Sequence, residues 1–131
     1  MQLDGNSLTL KDIRREIVIP GILTLSEAAL EKVANSRGVV EHILEKDQTV
    51  YGVNTGFGRL ANQRITADNL KQLQVNLLRS HAAGTGGYLP REMVRIILLL
   101  KINSLLRGYS GLRRVVIQAL VNLYNHDLMP A

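Results

Sequence analysis

Ten of the fourteen residues from Met93 to Leu106 are apolar, and the polar ones do not confine them to a stripe. Wound at about 100° per residue, they cover nearly the whole circumference of a helix. A helix apolar all round belongs in the core of a large protein or in a membrane. The membrane reading fails on length. The longest uninterrupted apolar run, Ile96 to Leu100, is flanked by Arg95 and Lys101, far short of the roughly 20 residues that span a bilayer. A further strongly apolar helical pattern, "LRRVVIQALVNLY", follows a turn bracketed by Gly108 and Gly111. The segments upstream are too modestly amphipathic to cover both helices, and the sequence stops at "LMPA" with no closing element. The expectation is that these 131 residues are part of something larger, an oligomer or a longer polypeptide.

The remaining patterns are mostly helical. "LTLKDIRREI" opens with a strand-like alternation and runs into charged residues before Pro20-Gly21. Ser26 is a good N-cap for a helix with Ala29, Leu30, Val33, Val40, Ile43 and Leu44 at helical spacing, with a break possible at Gly38. "TVYGV" is a short β-branched run ahead of a glycine loop, and Thr66 can cap a helix carrying Leu70, Leu73 and Leu77 on one face. "AAGTGGYLP" is a second glycine-rich loop, after which Pro90 suits the first position of the apolar helix. The fold class is therefore mainly α, with a few short strands near the N-terminus and before the glycine loop.

Composition narrows the function classes. Cysteine is absent, so neither disulfides nor thiolate metal sites can form. The first twenty residues are charged and lack the apolar core of a signal peptide, which points to a cytoplasmic protein. The net charge of +5 comes entirely from one segment, where Arg91, Arg95, Lys101, Arg107, Arg113 and Arg114 face only Glu92. Such a segment could bind nucleic acid, and a small basic helical module is the alternative reading from another class. Against it, the basic residues share no polar recognition face. His42, His81 and His126 are too scattered for a metal site, so no metal is expected. His42 and His126 suit helix surfaces. His81 ends a helix, where a cationic partner for the helix C-terminus is the plain reading.

"YGVNTGFG", residues 51 to 58, holds three glycines and two of the chain's five aromatic residues, Tyr51 and Phe57. The plain reading is a loop anchored by the tyrosine ring. "GFGRLA", residues 56 to 61, matches a dinucleotide fingerprint formally. Its context fails, because Arg64 and Thr66 interrupt the expected helix and no acid follows at the ribose-binding distance.

Taken together, "TVYGVNTGFGRLAN", "LQVNLLRSHAAGTG" and "KINSLLRGYSGLRR" resemble, in this order, the N-terminal part of the aromatic amino acid ammonia-lyases. The likeness runs from about Leu8 to the last residue, and "SHAAG" tilts it toward the histidine-acting branch. Tyrosine- and phenylalanine-acting lyases and aminomutases of the family are the nearest alternatives. The resemblance implies a helical N-terminal domain of the ammonia-lyase/fumarase-like superfamily. It implies non-oxidative loss of ammonia from L-histidine to give trans-urocanate, in a homotetramer acting on a small amino acid without a membrane.

By the same resemblance Tyr51 is the catalytic base that removes the β-proton. Gly52, Gly56 and Gly58 let the loop fold over substrate, Asn54 and Phe57 line it, and His81 contacts the substrate ring. An ordinary tyrosine, with a pKa of about 10, is only about 0.1% ionised at pH 7. A base of this kind therefore needs a nearby cation or hydrogen-bond donors. The family's electrophile, 4-methylidene-imidazole-5-one (MIO), forms from an internal Ala-Ser-Gly. None occurs in these residues; the family places it shortly after the point reached by Ala131. The implied entity is residues 1–131 of a larger lyase, inactive alone. "TGGYLP" also departs from the acidic residue the family carries after "GTG".

Overall fold

The computed structural model describes residues 1–46, 48–58 and 65–130, with the side chains of residues 67 and 68 left aside. Two short strands, β1 (Gln2–Leu3) and β2 (Thr24–Leu25), accompany five helices: α1 (Leu10–Val18), α2 (Glu27–Glu45), α3 (Ala67–His81), α4 (Arg91–Leu105) and α5 (Arg114–Asn125). The mainly α expectation holds. Arg59 to Ala61, the second half of "GFGRLA", and Arg64 lie outside the described residues.

The chain divides into two compact units, Met1–Val39 with Tyr88–Ala131, and Val40–Gly87. In the first, β1 and β2 pair in parallel, Gln2 with Thr24 and Leu3 with Leu25, and α1 lies in the crossover that parallel pairing requires. The strand-like start of "LTLKDIRREI" is helical from Leu10. Thr9 and Asp12 form a reciprocal capping box, each side chain bonding the other's backbone N–H. That local pair outweighs three residues of alternation.

The core of this unit joins Leu3 and Leu23, Ala29, Leu30 and Val33 of α2, the inner face of α4 and Ile117, Val121 and Tyr124 of α5. Helix α4 packs on α5 and α1. Leu98, Leu99, Ile102 and Leu105 turn inward, while Met93, Ile97 and Leu100 stay about half exposed at i, i+4 and i+7. The all-round apolar character thus resolves into one buried face and one uncovered apolar stripe. Pro90 is the N-cap of α4 and not its first helical residue. Helix α2 runs unbroken through Gly38. Past α4, Gly108 at φ 76° brings the chain so close to α2 that a Cβ there would lie 2.7 Å from Lys32 Cβ.

Polar groups fasten the same unit at long range. Buried Glu16 accepts hydrogen bonds on Oε2 from the Gly21 N–H at 2.8 Å and the Tyr124 hydroxyl at 3.0 Å. Asn125 pairs with both backbone groups of Leu23, accepting its N–H at 2.8 Å and donating to its carbonyl at 3.0 Å. Arg91 and Arg95, one turn apart on α4, both reach the Asp127 carboxylate, and Asp127 has a left-handed φ of 58°. Two cations of the basic segment thereby share one carboxylate within the chain.

The second unit contains the end of α2, the loop after it and α3. Thr66 is the N-cap of α3, but its side chain caps no backbone N–H and accepts instead from Asn69 Nδ2 at 3.1 Å. Leu70, Leu73 and Leu77 are half-buried, as their shared face requires.

Candidate active site

The loop at residues 51–58 is built around Asn54. Its Oδ1 accepts the Val50 N–H at 2.8 Å and its Nδ2 donates to the Gln48 carbonyl at 2.7 Å. Its own N–H reaches the Val50 carbonyl at 3.2 Å, and its carbonyl accepts the Ile65 N–H at 2.8 Å. One residue therefore ties together chain segments before and after the loop. Thr55, only 1% exposed, adds a second tie: its hydroxyl donates to the Gly56 carbonyl at 2.9 Å and faces the Gly52 N–H at 3.4 Å. These bonds hold residues 51–53 in turns, where the β-branched run alone suggested a strand. Gly52 and Gly58 have φ of 77° and 57°, conformations that L side chains resist.

On this frame the two aromatics project outward. Tyr51 is 64% exposed and Phe57 38% exposed, with ring centroids 6.2 Å apart and planes at 72°, an edge-to-face contact. Among the described residues none hydrogen-bonds the Tyr51 hydroxyl. Gly56 is buried and Gly58 exposed. Asn54, expected beside a substrate, is 3% exposed and engages its amide within the loop.

His81 is the last residue of α3 and is exposed. Its Nδ1 lies 2.9 Å from the Leu77 carbonyl and 3.0 Å from Ser80 Oγ. The ring therefore turns back onto the last turn of its own helix. Among the described residues no hydrogen bond or ring contact joins His81 to the 51–58 loop. Neither Thr55 nor Ser80 stood out in the sequence, because a single hydroxyl carries no periodic or motif signal. The only hint was that each adjoins a residue already singled out.

A family model for aromatic amino acid lyases matches residues 8–131. The chain belongs to the aromatic amino acid lyase family. Histidine ammonia-lyase of Vibrio cholerae is 45% identical over 130 residues, covering 99% of this chain and 25% of that protein. Among solved structures, histidine ammonia-lyase from Trypanosoma cruzi superposes with a TM-score of 0.86 at 36% identity, over 95% of this chain and 24% of the other. Ergothionase, an ergothioneine-degrading enzyme from Treponema denticola, gives a TM-score of 0.92 at 29% identity, over 99% of this chain and 26% of the other. The chain thus spans about a quarter of the length of the curated relatives it matches.

Within the aromatic amino acid lyase family the prosthetic group is made from the chain's own Ala-Ser-Gly. That tripeptide does not occur in these 131 residues. Among the described residues there is also no cluster of three potential metal ligands, and no helix is long and apolar enough to cross a membrane.

Proposed function

We propose that residues 1–131 are the N-terminal segment of a histidine ammonia-lyase, a cytoplasmic homotetramer that converts L-histidine to trans-urocanate and ammonia. The observation that carries this reading is 45% identity to a histidine ammonia-lyase over 130 residues, 99% of this chain. The electrophile would be supplied by another part of the full-length polypeptide. This chain's share is proton removal and substrate placement.

In that reading Tyr51 takes the β-proton of the substrate. Its exposed ring stands on a loop whose backbone is pinned from below by Asn54 and Thr55. A pinned loop holds the phenol in place, while Gly52 and Gly58 provide the backbone freedom to close over substrate and exclude water. Phe57, edge-on to Tyr51, limits the ring's rotation. Asn54 serves substrate binding by fixing the loop, Gly58 lets the backbone approach closely, and His81 meets the substrate's ring.

Tyr51→Phe in the full-length enzyme tests this. The expected loss in turnover is about 10²–10⁴-fold, the range for a general base, with the assembly state unchanged by light scattering. Turnover within a few-fold of wild type would remove Tyr51 from the mechanism. The 131-residue chain by itself should form no urocanate by ultraviolet absorbance, and urocanate formation would overturn the division of labour proposed here.

A further inference from the structure

Three atoms meet at the last turn of α3. Ser80 Oγ lies 3.0 Å from the Leu77 carbonyl oxygen and 3.0 Å from His81 Nδ1, and that Nδ1 lies 2.9 Å from the same carbonyl. A carbonyl oxygen can only accept, so the short Nδ1 contact requires a hydrogen on Nδ1. The serine hydroxyl donates to the carbonyl and turns a lone pair toward the same Nδ1–H. All three groups are then satisfied. With the hydrogen on Nε2 instead, the Nδ1 lone pair would face the carbonyl lone pairs at 2.9 Å, and the serine hydroxyl could donate to Nδ1 only by giving up its bond to the Leu77 carbonyl.

We propose that Ser80, with the Leu77 carbonyl, locks neutral His81 in the Nδ1–H form and so turns its Nε2 outward as a hydrogen-bond acceptor. The ring nitrogen that carries the proton is set by the bond the other side makes, and here that bond is local to α3. Ser80 is thus a positioning residue that acts through His81. The consequence for substrate rests on the reading of His81 as the ring contact. An outward acceptor favours a ring that offers an N–H, as a neutral or protonated imidazole does, over a phenyl ring that offers nothing.

The test reads the tautomer directly, without substrate, so it is decided by the α3 turn alone, and the ring-contact reading stands or falls separately. The chain is labelled with ¹⁵N-histidine, and long-range ¹H–¹⁵N spectra are taken at alkaline pH, where imidazole is neutral. His81→Gln assigns the signals. Wild type should show His81 predominantly Nδ1–H. Ser80→Ala should lower the Nδ1–H to Nε2–H ratio roughly five-fold, as loss of one hydrogen bond does, and Ser80→Thr should restore it. An Nε2–H majority in wild type, or an unchanged ratio in Ser80→Ala, would overturn the lock.

Discussion

Replacing Tyr124 by phenylalanine should weaken the protein at neutral pH but much less at strongly alkaline pH. Tyr124 is 1% exposed, and its hydroxyl donates to the buried Glu16 carboxylate at 3.0 Å. Burial first, and then the hydrogen bond and charge of Glu16, push the phenol from the ordinary 10.0 up to about 12. Arg95, whose guanidinium sits 5.4 Å over the ring, pulls the other way without cancelling this. A shift from 10.0 to about 12 corresponds to about 2.7 kcal/mol, at 1.36 kcal/mol per unit.

The sign follows from which state holds the proton. Below the ordinary value both states keep it and the contribution is complete. As pH rises from about 10 to about 12 the unfolded chain gives up its proton first, so folding loses that stability progressively. At neutral pH, Tyr124→Phe removes a donor from a buried carboxylate, which costs about 1.5–3 kcal/mol. Urea unfolding followed by far-ultraviolet circular dichroism, on both proteins from about pH 7 to about pH 12, measures the difference. Taking that difference cancels the other alkaline groups, which are common to both chains. The gap should be widest at neutral pH and close by about 2–3 kcal/mol across the alkaline range. A gap that stays constant to within about 0.5 kcal/mol, or is absent at neutral pH, would refute the coupling.

Two further sites give sharp expectations. At Gly108 an alanine Cβ would meet the Lys32 backbone at 2.8 Å with φ at +76°, so Gly108→Ala should cost more than about 2 kcal/mol in urea unfolding. Gly38, inside α2 with nothing within 4 Å, is the matched control, and Gly38→Ala should instead stabilise by about 0.5–1 kcal/mol. In the second unit, Asn54→Ala removes the acceptor of the Val50 N–H, and hydrogen exchange at that amide should quicken by roughly ten-fold while the exchange of α5 is unaffected.

Helices were legible wherever local chemistry and period agreed. Ser26 precedes α2, Thr66 precedes α3, and the Gly108–Gly111 turn separates α4 from α5, because caps and glycines act over one or two residues. Where two local signals competed, the strand-like alternation of residues 8–10 gives way to a helix from Leu10, because the Thr9–Asp12 capping box holds the turn that alternation would extend. Family membership was legible too: three motifs in fixed order, the first beginning at Thr49, are far more specific than any one of them.

Tertiary structure alone decided which half of α4 is buried, because an evenly apolar helix has no moment to orient it, and the choice falls to α1 and α5. It alone paired Glu16 with Tyr124 and Leu23 with Asn125, partners more than a hundred residues apart. The loop at residues 51–58 divides the same way. Its glycines and aromatics were plain in the sequence. That Asn54 and Thr55 turn inward to hold it while Tyr51 faces out is set by backbone groups at Gln48, Val50, Gly56 and Ile65, whose positions exist only once the chain has folded.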